Sequence, residues 1–315
     1  MSLEILKKYS LLFKLIITTG IFFLVFKNVD FFKSFQLLKE IDLFLFVIAL
    51  MILMLQVIFA TNRWKKVLEN LSIQISYIKV LNYLWIGLFF NQALPSSVGG
   101  DSLRAYYLFQ DNKCSIKDAA FGVLIDRIIG MFGLVLLVLS TFNFYSHLLQ
   151  NQLAKWGLLI VSFSALGVII AVLFFDYMPK YLQKWKVIRG LFSLAKKGRV
   201  IIFSFSPGLG LISISIFIHC LSITAVISLS QALNLDINLL GILMVVPAAN
   251  IIMAAPISIA GWGVREGIMV LGLGYIGVAS EQALALSLTY GILTLIVSLP
   301  GSIFWLQNNY KHNQA

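Results

Sequence analysis

Charged side chains are scarce in this sequence. Asp, Glu, Lys and Arg make up 12% of its 315 residues, whereas hydrophobic residues make up 60% and the mean hydropathy is +0.93. Soluble domains have about 25% charged and roughly 45–50% apolar residues. A water-soluble core cannot bury so much apolar surface, and uncharged stretches of membrane-spanning length recur along the chain. The composition therefore predicts a polytopic integral membrane protein.

Cysteine and histidine are equally sparse. The two cysteines, Cys114 and Cys220, are far apart, and the three histidines show no ligand spacing with them or with each other. Zinc sites and disulfide frameworks need such spacings, so we expect neither, and we expect no cofactor. The glycines at 272, 274 and 277 have the spacing of the dinucleotide-binding motif. No predicted strand precedes them, so we interpret them as small residues that let helices pack closely. For His219, inside an apolar run, a functional role and simple packing both stay open.

Basic residues outnumber acidic ones, and the formal net charge is +11. They cluster between apolar runs, with four at 61–79 and seven at 176–207. This placement favours loops retained in the cytoplasm, in contact with anionic headgroups, over nucleic-acid binding. With 143–155 and 232–240 outside, both termini are predicted to be cytoplasmic in a multi-pass protein of the cell membrane. This scheme places residues 27–42 outside although they carry three lysines, which conflicts with the preference of basic residues for cytoplasmic loops.

Six apolar runs have the length of full spans. They lie near 9–26, 43–60, 118–142, 156–175, 208–231 and 283–305. Two further apolar segments, 80–112 and 239–280, are interrupted by Pro and Gly. Nonhelical backbone at membrane depth survives only where it lines a cavity or is packed in protein, so we interpret both as re-entrant or broken helices. The predicted fold is an all-α membrane bundle in a single domain, 1–315, with about six full spans and these two segments.

The two interrupted segments carry the same motif. The first reads PSSVGGDSLR from Pro95 and the second PISIAGWGVR from Pro256. Each has Ser two residues after Pro, small residues at four and five, and Arg at nine, and the motifs are 161 residues apart. This recurrence predicts an internal duplication, with repeats at 1–150 and 151–315. Since each unit crosses the membrane three times, the second starts on the opposite face, as in transporters with inverted repeats and a midplane site.

An anion is the natural ligand of such a break. The proline ends one helix, Ser and Gly leave backbone amides facing a cavity, and the next half-helix presents its positive N-terminus. Arginine adds a permanently charged fork suited to phosphate. The predicted substrate-binding residues are Asn91, Ser97, Gly100, Arg104, Asn250, Ser258, Gly261 and Arg265. Two alternatives stay open: the arginines snorkel to an interface, and the asparagines cap helices.

Other charges lie in or beside the apolar runs. Charges at membrane depth face a bundle interior or a partner. We interpret Asp101, Asp126, Arg127 and Glu266 as gating or counter-charge groups. Internal ion pairing that holds helices together is the structural alternative.

These motifs resemble the membrane domain of the lysylphosphatidylglycerol synthase family. The resemblance rests on NQALP at 91–95, GGD at 99–101 with Arg104, DR at 126–127 and GWGVREG at 261–267, and it spans nearly the whole chain. Asp126 stands where the family pattern has Glu. The resemblance implies a membrane domain that flips a modified lipid; in two-part synthases a soluble C-terminal domain performs aminoacyl transfer. Free-standing flippase-like proteins and proteins from archaeal glycosylation loci share the domain.

The leading hypothesis is therefore a flippase or transporter for an anionic phospholipid or a polyprenyl-phosphate-linked lipid. The chain ends ten residues past its last predicted span, so we do not expect it to synthesise lysylphosphatidylglycerol alone. One alternative is a membrane-embedded enzyme or accessory subunit that acts on lipids or lipid-linked sugars. Another is a scaffold for a separately encoded synthase or transferase.

Overall fold

The computed structural model describes residues 16, 18–20, 29, 31–94, 99–112, 114–149, 151–255 and 257–312. This part of the chain is helical and contains no strand, which confirms the predicted all-α bundle. The helices with described bounds are α1 (Phe31–Lys39), α2 (Leu43–Asn70), α3 (Tyr77–Ala93), α4 (Gly99–Asn112), α5 (Ile116–Tyr145), α6 (Gln152–Leu173), α7 (Lys186–Phe203), α8 (Phe205–Ala232), α9 (Leu239–Met253), α10 (Val264–Gly274), α11 (Ser280–Ser298) and α12 (Pro300–His312).

Five helical stretches are long and apolar enough to cross a membrane. They are Leu43–Asn70, Ile116–Leu148, Gln152–Leu173, Phe205–Ala232 and Ser280–Asn308. They match five predicted spans, and the sixth, 9–26, falls largely outside the described residues. Large apolar side chains cover the outer surface, where Phe44 is 73% and Leu153 80% exposed. Lipid tails rather than water suit such a surface, as expected of a multi-pass membrane protein.

The second predicted span, 43–60, was too short. Helix α2 continues to Asn70, through a charged stretch that the prediction treated as loop. Arg63 is only 9% exposed, and a carboxylate of α5 neutralises it, so the charge does not end the helix. Trp64 and Leu68 are fully buried and keep the inner face of α2 apolar beyond Arg63.

Each interrupted segment forms two short helices that pack against each other. Segment 80–112 consists of α3 and α4, and segment 239–280 contains α9 and α10. The prolines that open the two motifs, Pro95 and Pro256, lie outside the described residues. The break between α9 and α10 holds three residues with positive φ, Ala260 at 52°, Gly261 at 80° and Gly263 at 82°. Glycine adopts this conformation without a steric penalty, which accounts for Gly261 and Gly263 in the second motif.

Helices α2 and α8 pack side by side in opposite directions. The contacts are Leu45 O with Ser228 Oγ at 2.9 Å, Gln56 Nε2 with Ser222 Oγ at 2.7 Å and Arg63 Nη1 with Ser215 Oγ at 3.0 Å. Residue numbers rise along α2 as those of their partners fall along α8. The proposed duplication makes these two helices equivalent. Antiparallel packing of equivalent helices is what a two-fold axis in the membrane plane produces, and this supports the inverted repeat, which stays a prediction.

The inverted repeat makes a testable prediction about membrane sidedness. Gln110 and Ala279 are exposed; Gln110 lies in the last turn of α4, ahead of α5, and Ala279 immediately precedes α11. In a background with Cys114 and Cys220 replaced, Gln110→Cys should react with a membrane-impermeant maleimide from the cytoplasmic side only. Ala279→Cys should react from the outer side only. Labelling of both positions from one side would rule out the inverted arrangement.

Candidate functional site

The first motif contributes to a buried cluster of charges between α2, α4 and α5. Arg63 of α2 donates from Nε to Asp126 Oδ1 at 2.8 Å. Arg104 of α4 donates from Nη2 to the other oxygen of Asp126 at 3.1 Å and from Nη1 to Asp101 Oδ1 at 3.2 Å. Asp126 thus joins two arginines from two other helices. All four residues are buried.

Arg127 completes this cluster from its edge. Its Nε pairs with Asp101 Oδ2, and its side chain is 37% exposed. Asp126 and Arg127 are adjacent in sequence, yet they serve different partners. We call the set Arg63, Asp101, Arg104, Asp126 and Arg127 the first ionic cluster. It contains three cationic and two anionic side chains, so its formal charge is positive.

Arg104 is fixed in place by close packing as well as by charge. Its guanidinium carbon lies 4.0 Å from the centre of the Trp64 ring, a cation–π contact. A Cβ at Gly87 of α3 would come within 2.6 Å of the Arg104 side chain, so a larger residue there would displace the arginine. Arg104 Nε is buried and has no hydrogen-bond partner among the described residues. Because Arg104 is only 6% exposed, it does not fit the snorkelling alternative.

Helices α3 and α4 approach each other closely at the start of α4. A Cβ at Gly100 would lie 1.9 Å from the carbonyl oxygen of Gly87. Asn91 accepts the Gly100 amide at 3.0 Å through Oδ1, which favours the capping interpretation of this asparagine. Gly100 therefore serves the contact between the two helices.

The second motif forms a separate, smaller ionic cluster at the start of α10. Arg265 donates to Glu266 Oε1 from Nε at 3.0 Å and from Nη2 at 2.7 Å, and Ser287 of α11 donates to the same oxygen at 3.3 Å. The other oxygen, Oε2, accepts the Gly263 amide at 2.6 Å. A carboxylate thus occupies the helix N-terminus that the sequence predicted for an anion. We call Arg265 and Glu266 the second ionic cluster.

Arg265 is packed in the same manner as Arg104. Its guanidinium carbon lies 4.5 Å from the centre of the Trp262 ring, and its side chain is 4% exposed. A Cβ at Gly291 of α11 would lie 2.0 Å from Arg265 Nη2. Both motif arginines therefore stack on a tryptophan and pack on a glycine, but they lie in different clusters.

The remaining predicted residues are placed as follows. Ser97 lies outside the described residues. Ser258 is 4% exposed in the break before α10, near Gly261. Asn250 is half-buried in α9, where its carbonyl oxygen accepts the Ala254 amide at 3.2 Å. The ligand-binding roles of Ser258, Gly261 and Asn250 stay predictions.

A polar cavity of about 260 Å³ lies between α2, α3, α8 and α11. Seven of its twelve lining residues are aliphatic, and the polar ones are Gln56, Gln92, Tyr290, Thr294 and Ser298. No charged side chain is among them. Helices from both predicted repeats contribute, which is the position expected for a transporter site.

Sequence reasoning missed Arg63 and this polar cavity. The apolar period that continues through Trp64, Val67 and Leu68 was the available signal that Arg63 lies on a buried helix face. Gln56, Gln92 and Tyr290 are neutral residues within apolar runs, and no local pattern marks them as neighbours. Their proximity depends on the packing of three helices.

Comparison with known proteins assigns the family. Residues 11–301 match the family described as the lysylphosphatidylglycerol synthase TM region. The chain belongs to this family. Both motifs and both ionic clusters of this family member lie within the matched residues.

Two named relatives of this family member are archaeal. A UPF0104 membrane protein of Methanothermobacter thermautotrophicus is 25% identical over 250 residues, which cover 71% of this chain and 73% of that protein. A UPF0104 membrane protein of Pyrococcus horikoshii is 23% identical over 154 residues, or 47% of this chain and 45% of that protein. The second match thus spans less than half of its relative. Both names describe membrane proteins and state no activity.

Proposed function

We propose that this protein moves an anionic lipid, either a phospholipid or a polyprenyl-phosphate-linked molecule, across the membrane. The observation that carries the proposal is the position of the two motif arginines relative to the polar cavity. Arg104 packs on Gly87, between cavity residues Leu84 and Leu88 of α3. Arg265 packs on Gly291 of α11, beside cavity residues Tyr290 and Thr294. Each arginine therefore packs against a helix that walls the cavity.

Carboxylates occupy both arginine forks in this conformation. Phosphate and carboxylate make the same bidentate contacts with a guanidinium, so they can replace each other. In our proposal the phosphate of the lipid takes the place of Asp101 or Asp126 at Arg104, and of Glu266 at Arg265. The positive formal charge of the first ionic cluster favours an incoming anion. Exchange between carboxylate and phosphate would couple lipid binding to movement of α4 or α10.

The family assignment supports a role in the membrane. The direct test is lipid movement in phosphatidylcholine proteoliposomes that carry a chain-labelled fluorescent phosphatidylglycerol. Dithionite quenches only label in the outer leaflet. We expect label from the inner leaflet to be quenched faster in proteoliposomes than in protein-free liposomes, because the protein moves the lipid outward. Chain-labelled phosphatidylcholine should move more slowly than the anionic probe. Equal rates for the two probes, or no acceleration, would refute the proposed function.

A further inference from the structure

The polar cavity between α2, α3, α8 and α11 has a chemistry of its own, distinct from that of the ionic clusters. A phosphate would need a cationic partner, and an ammonium group would need a carboxylate or an aromatic cage. The lining provides neither charge, and Tyr290 is its single aromatic residue. Its polar groups are amides and hydroxyls instead, set among seven aliphatic residues. Such a site suits an uncharged polar group.

Its hydrogen-bonding groups are only partly used within the protein. Gln92 Oε1 is buried and has no hydrogen-bond partner among the described residues. A buried acceptor that lacks a donor carries a free-energy penalty, so a ligand donor would relieve it. Gln56, in contrast, donates to Ser222 Oγ at 2.7 Å, which ties α2 to α8. Gln92 is therefore the side chain most available to a ligand.

We propose that this cavity binds the hydroxyl-bearing, uncharged part of a lipid headgroup, such as a glycerol or a sugar. A hydroxyl both donates and accepts, so it matches a wall that contains amides and hydroxyls together. The cavity volume of about 260 Å³ is smaller than typical pockets for whole drug-sized ligands, so a headgroup fits better than an entire lipid. This inference rests on the proposed function: the arginines packed against α3 and α11 take the phosphate, and the cavity selects the group attached to it.

The test compares two lipids that differ in hydroxyl groups but not in charge. Phosphatidylglycerol has two headgroup hydroxyls, and phosphatidylmethanol, its equally charged analogue, has none. The protein is placed in phosphatidylcholine nanodiscs that contain equal amounts of both, then released in the gas phase, and retained lipids are identified by native mass spectrometry. We expect the wild-type protein to retain phosphatidylglycerol over phosphatidylmethanol by about 2- to 12-fold for each hydrogen bond made. Sugar-based detergents are avoided because their hydroxyls would compete.

A second arm asks whether the hydroxyls belong to a glycerol or a sugar. A short-chain prenyl phosphate hexose is compared with the same prenyl phosphate lacking the sugar. The pair whose preference depends on Gln92 identifies the headgroup class. The proposal is supported if the preference for the hydroxylated lipid depends on Gln92 in either pair.

Gln92→Leu should remove the preference, with equal retention of the hydroxylated and plain lipid. Because this variant deletes a buried acceptor without a partner, its melting temperature without test lipid should be unchanged or higher. Thr294→Val, which removes a lining hydroxyl at constant shape, serves as a second variant and should weaken the preference. Gln231→Leu, at an exposed position of α8, is the matched control and should behave as wild type.

The outcomes separate this inference from the proposed function. Equal retention of both members of each pair by the wild-type protein, or an undiminished preference in Gln92→Leu, would overturn the headgroup proposal. If the anionic lipids are nevertheless retained over phosphatidylcholine and moved in proteoliposomes, the proposed function stands. If no anionic lipid is retained or moved, both proposals fail.

Discussion

Asp126→Asn is expected to lower the free energy of unfolding by about 3–5 kcal/mol. The carboxylate pairs with Arg63 and Arg104, and removing its charge leaves two buried guanidiniums without this counter-charge. Breaking a buried ion pair from one side is far more destabilising than losing an exposed pair. Thermal unfolding in detergent, with unfolding in a denaturing detergent as a second measure, gives the size of the effect.

Glu69→Gln, on α2 near Arg63, is the matched control. Glu69 pairs with Lys65 at 2.7 Å, but both side chains are well exposed, at 41% and 29%. Exposed pairs of this spacing contribute about 0.3–0.5 kcal/mol, so the control should be nearly neutral. The double variant Arg63→Gln with Asp126→Asn should be less destabilised than the sum of its single variants, because the two side chains interact directly. If Asp126→Asn and Glu69→Gln both lower the free energy of unfolding by the same small amount, the first ionic cluster is contradicted.

Arg104→Lys and Arg265→Lys should each reduce transport of the anionic probe by about 10- to 150-fold. Lysine keeps the charge but cannot make the forked contacts of a guanidinium, and one charge-assisted hydrogen bond contributes about 1.5–3 kcal/mol. The measurement is the dithionite assay with phosphatidylglycerol, at equal reconstitution and with the melting temperature recorded for each variant.

The control for this prediction is Arg189→Lys, at an exposed position of α7. It should transport at the wild-type rate. Loss of anionic transport with little change in phosphatidylcholine movement would support a phosphate clamp. An equal loss for both lipids would instead assign the arginines to gating, and wild-type rates in both variants would refute a role in transport.

The sequence by itself determined the class of protein, most of its spans and the two broken segments. These properties are local or additive. Hydropathy sums over a window, and proline and glycine act on the backbone where they stand, which is why 80–112 and 239–280 were identified as interrupted. The recurrence of one motif also singled out Arg104 and Arg265, whose burial only the structure shows.

Tertiary structure alone decided which charges meet. Arg63 was assigned to a loop, yet it lies inside the bundle because Asp126, 63 residues away, neutralises it. The same packing turned Asp126 and Arg127 toward different partners and brought Gln56, Gln92 and Tyr290 around one cavity. The sequence alone does not show what a charged or amide side chain on a helix will face. Whether it faces lipid, a counter-charge or a cavity depends on the helices packed against it, because their side chains supply the partner that compensates its burial.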